Sequence, residues 1–265
     1  MKKINYTTAD GIAVIELNDP PANTYSYEMM QEIDAAVLRA RMDASVHVIV
    51  LTGAGEKFFC AGANIGMLKD ADPTFKYYFC LHANETMIRL EQTPKLVIAG
   101  LNGHTVGGGL EVALAADIRI ARRGAGKIGL PEVALGVLPG TGGTQRLARL
   151  LGKAKALELM ATGALFSFDD ALSWGLVNHV WGEADLNGRT FRDALLEYAR
   201  QFTPPHRASR AVGHIKRAVQ SGLDMGLAEG LALERELQQR LFESDDAREG
   251  LAANLEKRKP AFSGR

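Results

Sequence analysis

Runs of β-favouring residues closed by glycines, with helical stretches between them, constrain this chain more than any other feature. Val46–Leu51 (Val-His-Val-Ile-Val-Leu) ends at Gly53-Ala54-Gly55, and Lys95–Ala99 ends at Gly100 and Gly103. β-branched residues suit a pleated, buried surface, and glycine clusters punctuate such runs. Further strand runs at Ile118–Ala121 and Val177–Val180 are interleaved with helical patterns at Leu110–Ala116, Thr144–Leu151, Ala154–Ala161 and Phe168–Trp174. That alternation predicts an α/β core.

Ile4–Leu17 reads as two strands turned at Asp10-Gly11, a strong hairpin pair. Ser26 is placed to cap a helix running to about Arg41, with Met29, Met30, Ile33, Val37 and Leu38 at helical spacing. Beyond about Thr190 the pattern is helical as far as Lys259, broken at Thr203-Pro204-Pro205. The chain therefore divides into a core over residues 1–197 and a helical region over residues 198–265. No linker or low-complexity tract separates the two, so they are expected to pack on each other. With 265 residues, 46% of them hydrophobic and 23% charged, the composition is that of an ordinary globular chain able to bury a core.

Lys plus Arg and Asp plus Glu number 31 each, so no net field draws the chain to nucleic acid or to an anionic membrane. Cys60 and Cys80 both lie among apolar residues without metal-ligand spacing and read as buried free thiols. No metal is expected. Polar Asn5–Asp10 follows Met1-Lys2-Lys3 where an export signal needs an apolar run, and every apolar stretch is broken before about 18 residues. The expectation is a cytoplasmic chain with no membrane span.

Chemistry is suggested by a few segments. Gly107-Gly108-Gly109 precedes a helix, where missing side chains would let a ligand reach N–H groups that the helix leaves unpaired. Close helix-to-sheet packing explains the same glycines equally well. Phe58–Ile65, with Ala61-Gly62-Ala63 at its centre, is a second small-residue loop able to supply another donor. Glu111 is followed by Val112-Ala113-Leu114-Ala115-Ala116, apolar on every face, so its carboxylate must be paired, functional, or a cap for its own helix. Glu132, fixed behind Pro131 among apolar neighbours, is a second such carboxylate. Two of them can serve as general acid and base through one water, provided the fold brings them together. Gly124–Gly129 matches Gly-x-Gly-x-x-Gly by accident, because Pro131 leaves no room for a helix. Gly140-Thr141-Gly142-Gly143 reads as a helix entry and His104 as a structural histidine. No nucleophile elbow is present.

Three blocks resemble the crotonase superfamily: Gly-Glu-Lys-Phe-Phe-Cys-Ala-Gly-Ala-Asn (55–64), Asn-Gly-His-Thr-Val-Gly-Gly-Gly-Leu-Glu (102–111) and Leu130–Leu147. The likeness continues through Thr162-Gly163, Gly175-Leu176-Val177 and Glu256-Lys257-Arg258-Lys259-Pro260. It implies a spiral of β-β-α units over residues 1–197 and a C-terminal helical region that builds a homotrimer, often a hexamer of two trimers. By the same resemblance the N–H groups of Ala63 and Gly108 hold the thioester oxygen of an acyl-CoA, which is the substrate, with no cofactor. Glu111 would deprotonate the water that attacks C3, and Glu132 would hold that water and deliver a proton to C2.

Retention of both glutamates is typical of enoyl-CoA hydratases. An isomerase, or a hydratase for a branched or carboxylated acyl group, is the alternative within the family, and a scaffold or RNA-binding relative the alternative outside it. Ala61 and Lys257 fall at CoA-binding positions, Lys257 reaching a neighbouring subunit. Tyr25, Phe75 and Tyr78 fall near the acyl pocket, where aromatics equally serve core packing. Asn64 stands where Asp is common, and Asn254 where an aromatic often lies near the adenine.

Overall fold

A computed structural model describes residues 2–265. Strands β1 (Ile4–Ala9) and β2 (Ile12–Leu17) form the expected antiparallel hairpin. The chain continues through β3 (Val48–Gly53), β4 (Phe58–Cys60), β5 (Leu96–Leu101), β6 (His104–Val106), β7 (Ile118–Arg122), β8 (Ile128–Gly129) and β9 (His179–Trp181). Six of these make one sheet, ordered β1-β2-β3-β5-β7-β9 and parallel from β2 onward, while β4-β6-β8 make a small parallel sheet beside it. Three times the chain lays one strand in the large sheet, one in the small sheet, and then turns helical. The helices that follow are Ile65–Asp70 with Pro73–Glu91, then Gly108–Leu114, then the 3₁₀ turn Glu132–Leu135 with Gly143–Leu151. This is the β-β-α spiral that the resemblance implied.

The expected helix near Ser26 spans Tyr27–Met42, and the Ser26 side chain accepts the Met29 N–H, which satisfies one orphan donor of the first turn. Strand Val177–Val180 shifts to His179–Trp181, leaving Val177 in the core just before it. The small sheet has no counterpart in the sequence reading, since strands of two or three residues carry no measurable period. Helix Pro73–Glu91 is likewise new. Asp72 caps it by accepting the Thr74 and Phe75 N–H groups, and Pro73 occupies the first position, where its missing donor costs nothing. Cys60 is buried as expected, whereas Cys80 is only half-buried.

The second face of the large sheet (Ile12, Val14, Val48, Val50, Ile98 and Ile120) is covered by Leu186, Phe191, Ala194, Leu195 and Ala199. The boundary drawn at 197/198 thus falls inside helix Phe191–Arg200, which belongs to the core it covers. Helices Ser209–Gly222, Leu227–Phe242 and Asp245–Leu255 follow. Buried Lys216 docks the first of them, with Nζ 2.9 Å from Asp117 and donating to the carbonyls of Leu90 and Lys95. A charge removed from water in this way is held only because carboxylate and carbonyls replace its hydration. Leu223, just past the first of these helices, and Leu227, Phe242, Leu251 and Leu255 on the other two remain exposed. Among the described residues no helix is long and apolar enough to cross a membrane.

Candidate functional site

The loop after β4 is held by Tyr25, whose N–H donates to the Gly62 carbonyl at 2.9 Å and whose carbonyl accepts the Asn64 N–H at 2.9 Å. A parallel bridge of this pattern spends the amides either side of Ala63 and turns the Ala63 N–H away from Tyr25. Asn64 then caps helix Ile65–Asp70 by accepting the Met67 N–H at 3.0 Å, so the residue that replaces Asp keeps a local task. The buried amide of Asn102 steadies the same region by exchanging hydrogen bonds with the Gly53 N–H and the Gly53 and Gly55 carbonyls.

Gly107 lies at φ 58°, a conformation strained for side chains. A Cβ on Gly108 would stand 2.1 Å from the Tyr25 hydroxyl oxygen, so no side chain fits there. Gly108 opens helix Gly108–Leu114, where its N–H has no acceptor within the helix. A Cβ on Gly62 would come within 2.9 Å of the Gly108 nitrogen, which shows how closely the two loops meet. Ala61, Ala63, Gly108 and both glutamates line one cleft of about 320 Å³.

Every residue of helix Gly108–Leu114 is buried, as its all-apolar faces implied, and Glu111 is 2% exposed. Its Oε1 accepts the N–H groups of Thr141 and Gly143, each at 2.7 Å, so it does not cap its own helix. Burial pushes its carboxyl up to about 7; the two N–H bonds oppose that rise and the nearby Glu132 charge adds to it. Glu132 opens the 3₁₀ turn, half-buried, with Oε2 shut away from solvent and without a hydrogen-bond partner. Burial raises this carboxyl too, and the charge of Lys76 works against the rise. Two carboxylates facing one cleft, both pushed toward neutrality, can share a proton and pass it through a water.

Of the other residues singled out, Tyr25 lines the cleft with its hydroxyl 2.9 Å from Thr141 Oγ1. Phe75 stacks on Phe79 at 6.1 Å and stands behind the cleft wall, while Tyr78 lies exposed against Tyr77. Lys257 sits beyond the end of helix Asp245–Leu255, exposed and outside the cleft. His104 is structural, its Nδ1 accepting the Lys127 N–H and its ring 5.3 Å from Phe58. Gly124–Gly129 forms a turn leading into β8 and opens no helix. Among the described residues no three His, Cys, Asp or Glu side chains are grouped to hold a metal ion.

Two features of the cleft carry no clear signal in the sequence. Gly140–Gly143 is a helix entry, as expected, but its amides also hold Glu111, which only the paired glycines around Thr141 could have hinted at. Lys76, from helix Pro73–Glu91, also reaches the cleft.

A sequence model of the family described as enoyl-CoA hydratase/isomerase matches residues 7–265. A short-chain-enoyl-CoA hydratase of Clostridium acetobutylicum is 37% identical over 249 residues, covering 94% of this chain and 92% of its own. A putative enoyl-CoA hydratase/isomerase of Bacillus subtilis is 38% identical, covering 96% and 95%. Among solved structures, an enoyl-CoA hydratase of Geobacillus kaustophilus superposes with a TM-score of 0.95 at 46% identity, covering 100% of this chain and 98% of its own.

Proposed function

Since this chain belongs to the enoyl-CoA hydratase/isomerase family, we propose that it adds water to trans-2-enoyl-CoA, in syn fashion, to give 3-hydroxyacyl-CoA. The thioester oxygen sits between the N–H groups of Ala63 and Gly108, where the enolate forms. Preorganised donors of this kind are worth about 3 kcal/mol each at the transition state. Glu111, with Oε1 tied to two amides, turns its other oxygen to the water and takes its proton as the oxygen attacks C3. Glu132 holds the same water and, in the form that carries a proton, delivers it to C2. One proton is gained by Glu111 and one lost by Glu132, so relay through the next water resets the pair. The chemistry calls for no cofactor.

The observation that carries this reading is the convergence of two carboxyls, each raised by burial, on the cleft that also presents Ala63 and Gly108. Moving a double bond needs a single shuttling base, and the second carboxyl in the cleft favours hydration over isomerisation. Ala61 lies beside the thioester end of the cleft and Lys257 contacts the CoA of a neighbouring subunit. Tyr25 walls the acyl pocket, with Phe75 one layer behind it through Phe79. Exposed Leu223, Leu227, Phe242 and Leu255 support a homotrimer or a dimer of trimers built on the helical region, working in the cytoplasm without nucleic acid or membrane.

The test is the absorbance of the conjugated thioester. With crotonyl-CoA the wild-type protein should bleach it and Glu111→Gln should not. A wild type that bleaches neither crotonyl-CoA nor longer or branched 2-enoyl-CoA, yet creates the conjugated band from a 3-enoyl-CoA, would make it an isomerase.

A further inference from the structure

Apart from the two glutamates, the cleft carries one charged side chain, Lys76. Around it the lining is almost wholly apolar, with Ile65, Leu68, Ala134, Leu135, Val137 and Leu138 forming the walls away from the glycine loops. A cation among aliphatic walls weakens the grip on a plain hydrocarbon chain, because its hydration shell must be shed or accommodated when the chain enters.

Structural explanations for Lys76 are thin. Among the described residues no carboxylate lies within salt-bridge distance of its Nζ, in contrast to Arg146 with Glu91 or Lys216 with Asp117. Its ammonium lies 5.6 Å from the centre of the Phe79 ring and acts on the Glu132 carboxyl only as a nearby charge. The residue is half-buried, so its stem is committed to the wall while its ammonium has no carboxylate at salt-bridge distance among the described residues.

We propose that Lys76 recognises a second carboxylate on the substrate, so that the preferred acyl-CoA carries an acyl chain ending in a carboxylate. This rests on the acyl-CoA reading above and names the substrate class within it. The incoming carboxylate completes the pair that Lys76 lacks, and the apolar walls hold the carbons between it and the thioester.

The test uses saturated thioesters, which bind without reacting. Inhibition constants for glutaryl-CoA, ending in a carboxylate, and butyryl-CoA, ending in a methyl, are measured against hydration of crotonyl-CoA and by direct titration of the full-length protein. A hydrogen-bonded charge pair in a partly desolvated cleft should favour glutaryl-CoA by about tenfold or more. Lys76→Met should remove that preference, and Lys76→Arg should keep most of it. If Lys76→Met moves both constants by the same factor, Lys76 serves only the Glu132 charge and the inference is overturned. Equal binding of the two thioesters by the wild type overturns it too, while leaving the hydratase reading in place. Binding of neither would remove both.

Discussion

The two glutamates share a cleft but are held by opposite kinds of structure. Glu111 stands on a helix buried along its whole length, its carboxylate pinned by two backbone amides. Glu132 stands on a single 3₁₀ turn whose Val133, Ala134 and Leu135 are exposed, with one oxygen buried and unpartnered. One wall of the site is therefore packed like a core and the other like a surface loop. On the proposed hydratase reading the rigid wall would fix the attacking water, and the looser wall would adjust to different acyl chains and to the transfer of a proton.

Replacing each carboxyl by its amide should break this pairing most severely. Glu111→Gln and Glu132→Gln should each lower kcat by about 10²- to 10⁴-fold, the usual worth of general acid–base catalysis. A Glu132→Gln enzyme with near-normal turnover of crotonyl-CoA would remove the acid role. The contrast lies in stability. Glu111 binds its proton up to a pH of about 7 in the folded chain, against 4.5 for an ordinary glutamate. Between those values the folded chain holds more protons than the unfolded one, so the Glu111 contribution to stability falls as pH rises through that window and then levels off. The Tm advantage of Glu111→Gln over wild type should therefore be greater at pH 8 than at pH 5. The same comparison for half-buried Glu132→Gln should give a smaller change, and a difference that is flat with pH for Glu111→Gln would contradict the assigned burial effect.

The same contrast explains how much of the site was legible in the sequence. Glu111 and Glu132 stood out because a carboxylate amid Val, Ala and Leu violates the ordinary segregation of charge. The strands β2, β3 and β5 were legible from their β-branched runs. Ala63 and Gly108 lie in small-residue loops visible in the sequence, but their pairing is implied by resemblance alone, since the meeting of distant loops leaves no local pattern. The amides of Thr141 and Gly143 were illegible as partners of Glu111 because a backbone donor is chemically the same at every residue. Helix Pro73–Glu91 escaped because exposed Tyr77, Tyr78, Leu81 and Ile88 stand among its buried Phe79, Ala83, Met87 and Leu90, which blurs the helical period. Lys76, on that helix, carries no sequence signal for the same reason.

A smaller effect should come from the loop that pins Glu111. Arg146 donates to both oxygens of Glu91, at 2.6 and 2.7 Å, and to the Thr141 carbonyl at 3.1 Å, which braces the Thr141–Gly142 peptide lying between the two whose N–H groups hold Glu111. Arg146→Met keeps the bulk but leaves Glu91 half-buried and alone. It should cost about 1–3 kcal/mol of stability, the price of an uncompensated polar group, and lower kcat by about tenfold while leaving KM within about twofold. A fall in Tm with kcat unchanged would make Arg146 a structural brace only, and the rigidity of the Glu111 wall would then owe nothing to it.

The smallest effect should fall on the looser wall. Leu135 is 60% exposed on the turn of Glu132 and lines the cleft, so Leu135→Ala removes little packing and should change stability by no more than about 0.5 kcal/mol. Its side chain is nevertheless placed to cover an acyl chain, and each methylene so covered is worth about 0.8 kcal/mol. KM should therefore rise a few-fold for longer 2-enoyl-CoA substrates and hardly at all for crotonyl-CoA, measured side by side with Tm. A marked drop in Tm would show that the Glu132 turn is as tightly built as the Glu111 helix, and a chain-length-independent KM would place the acyl tail elsewhere in the cleft.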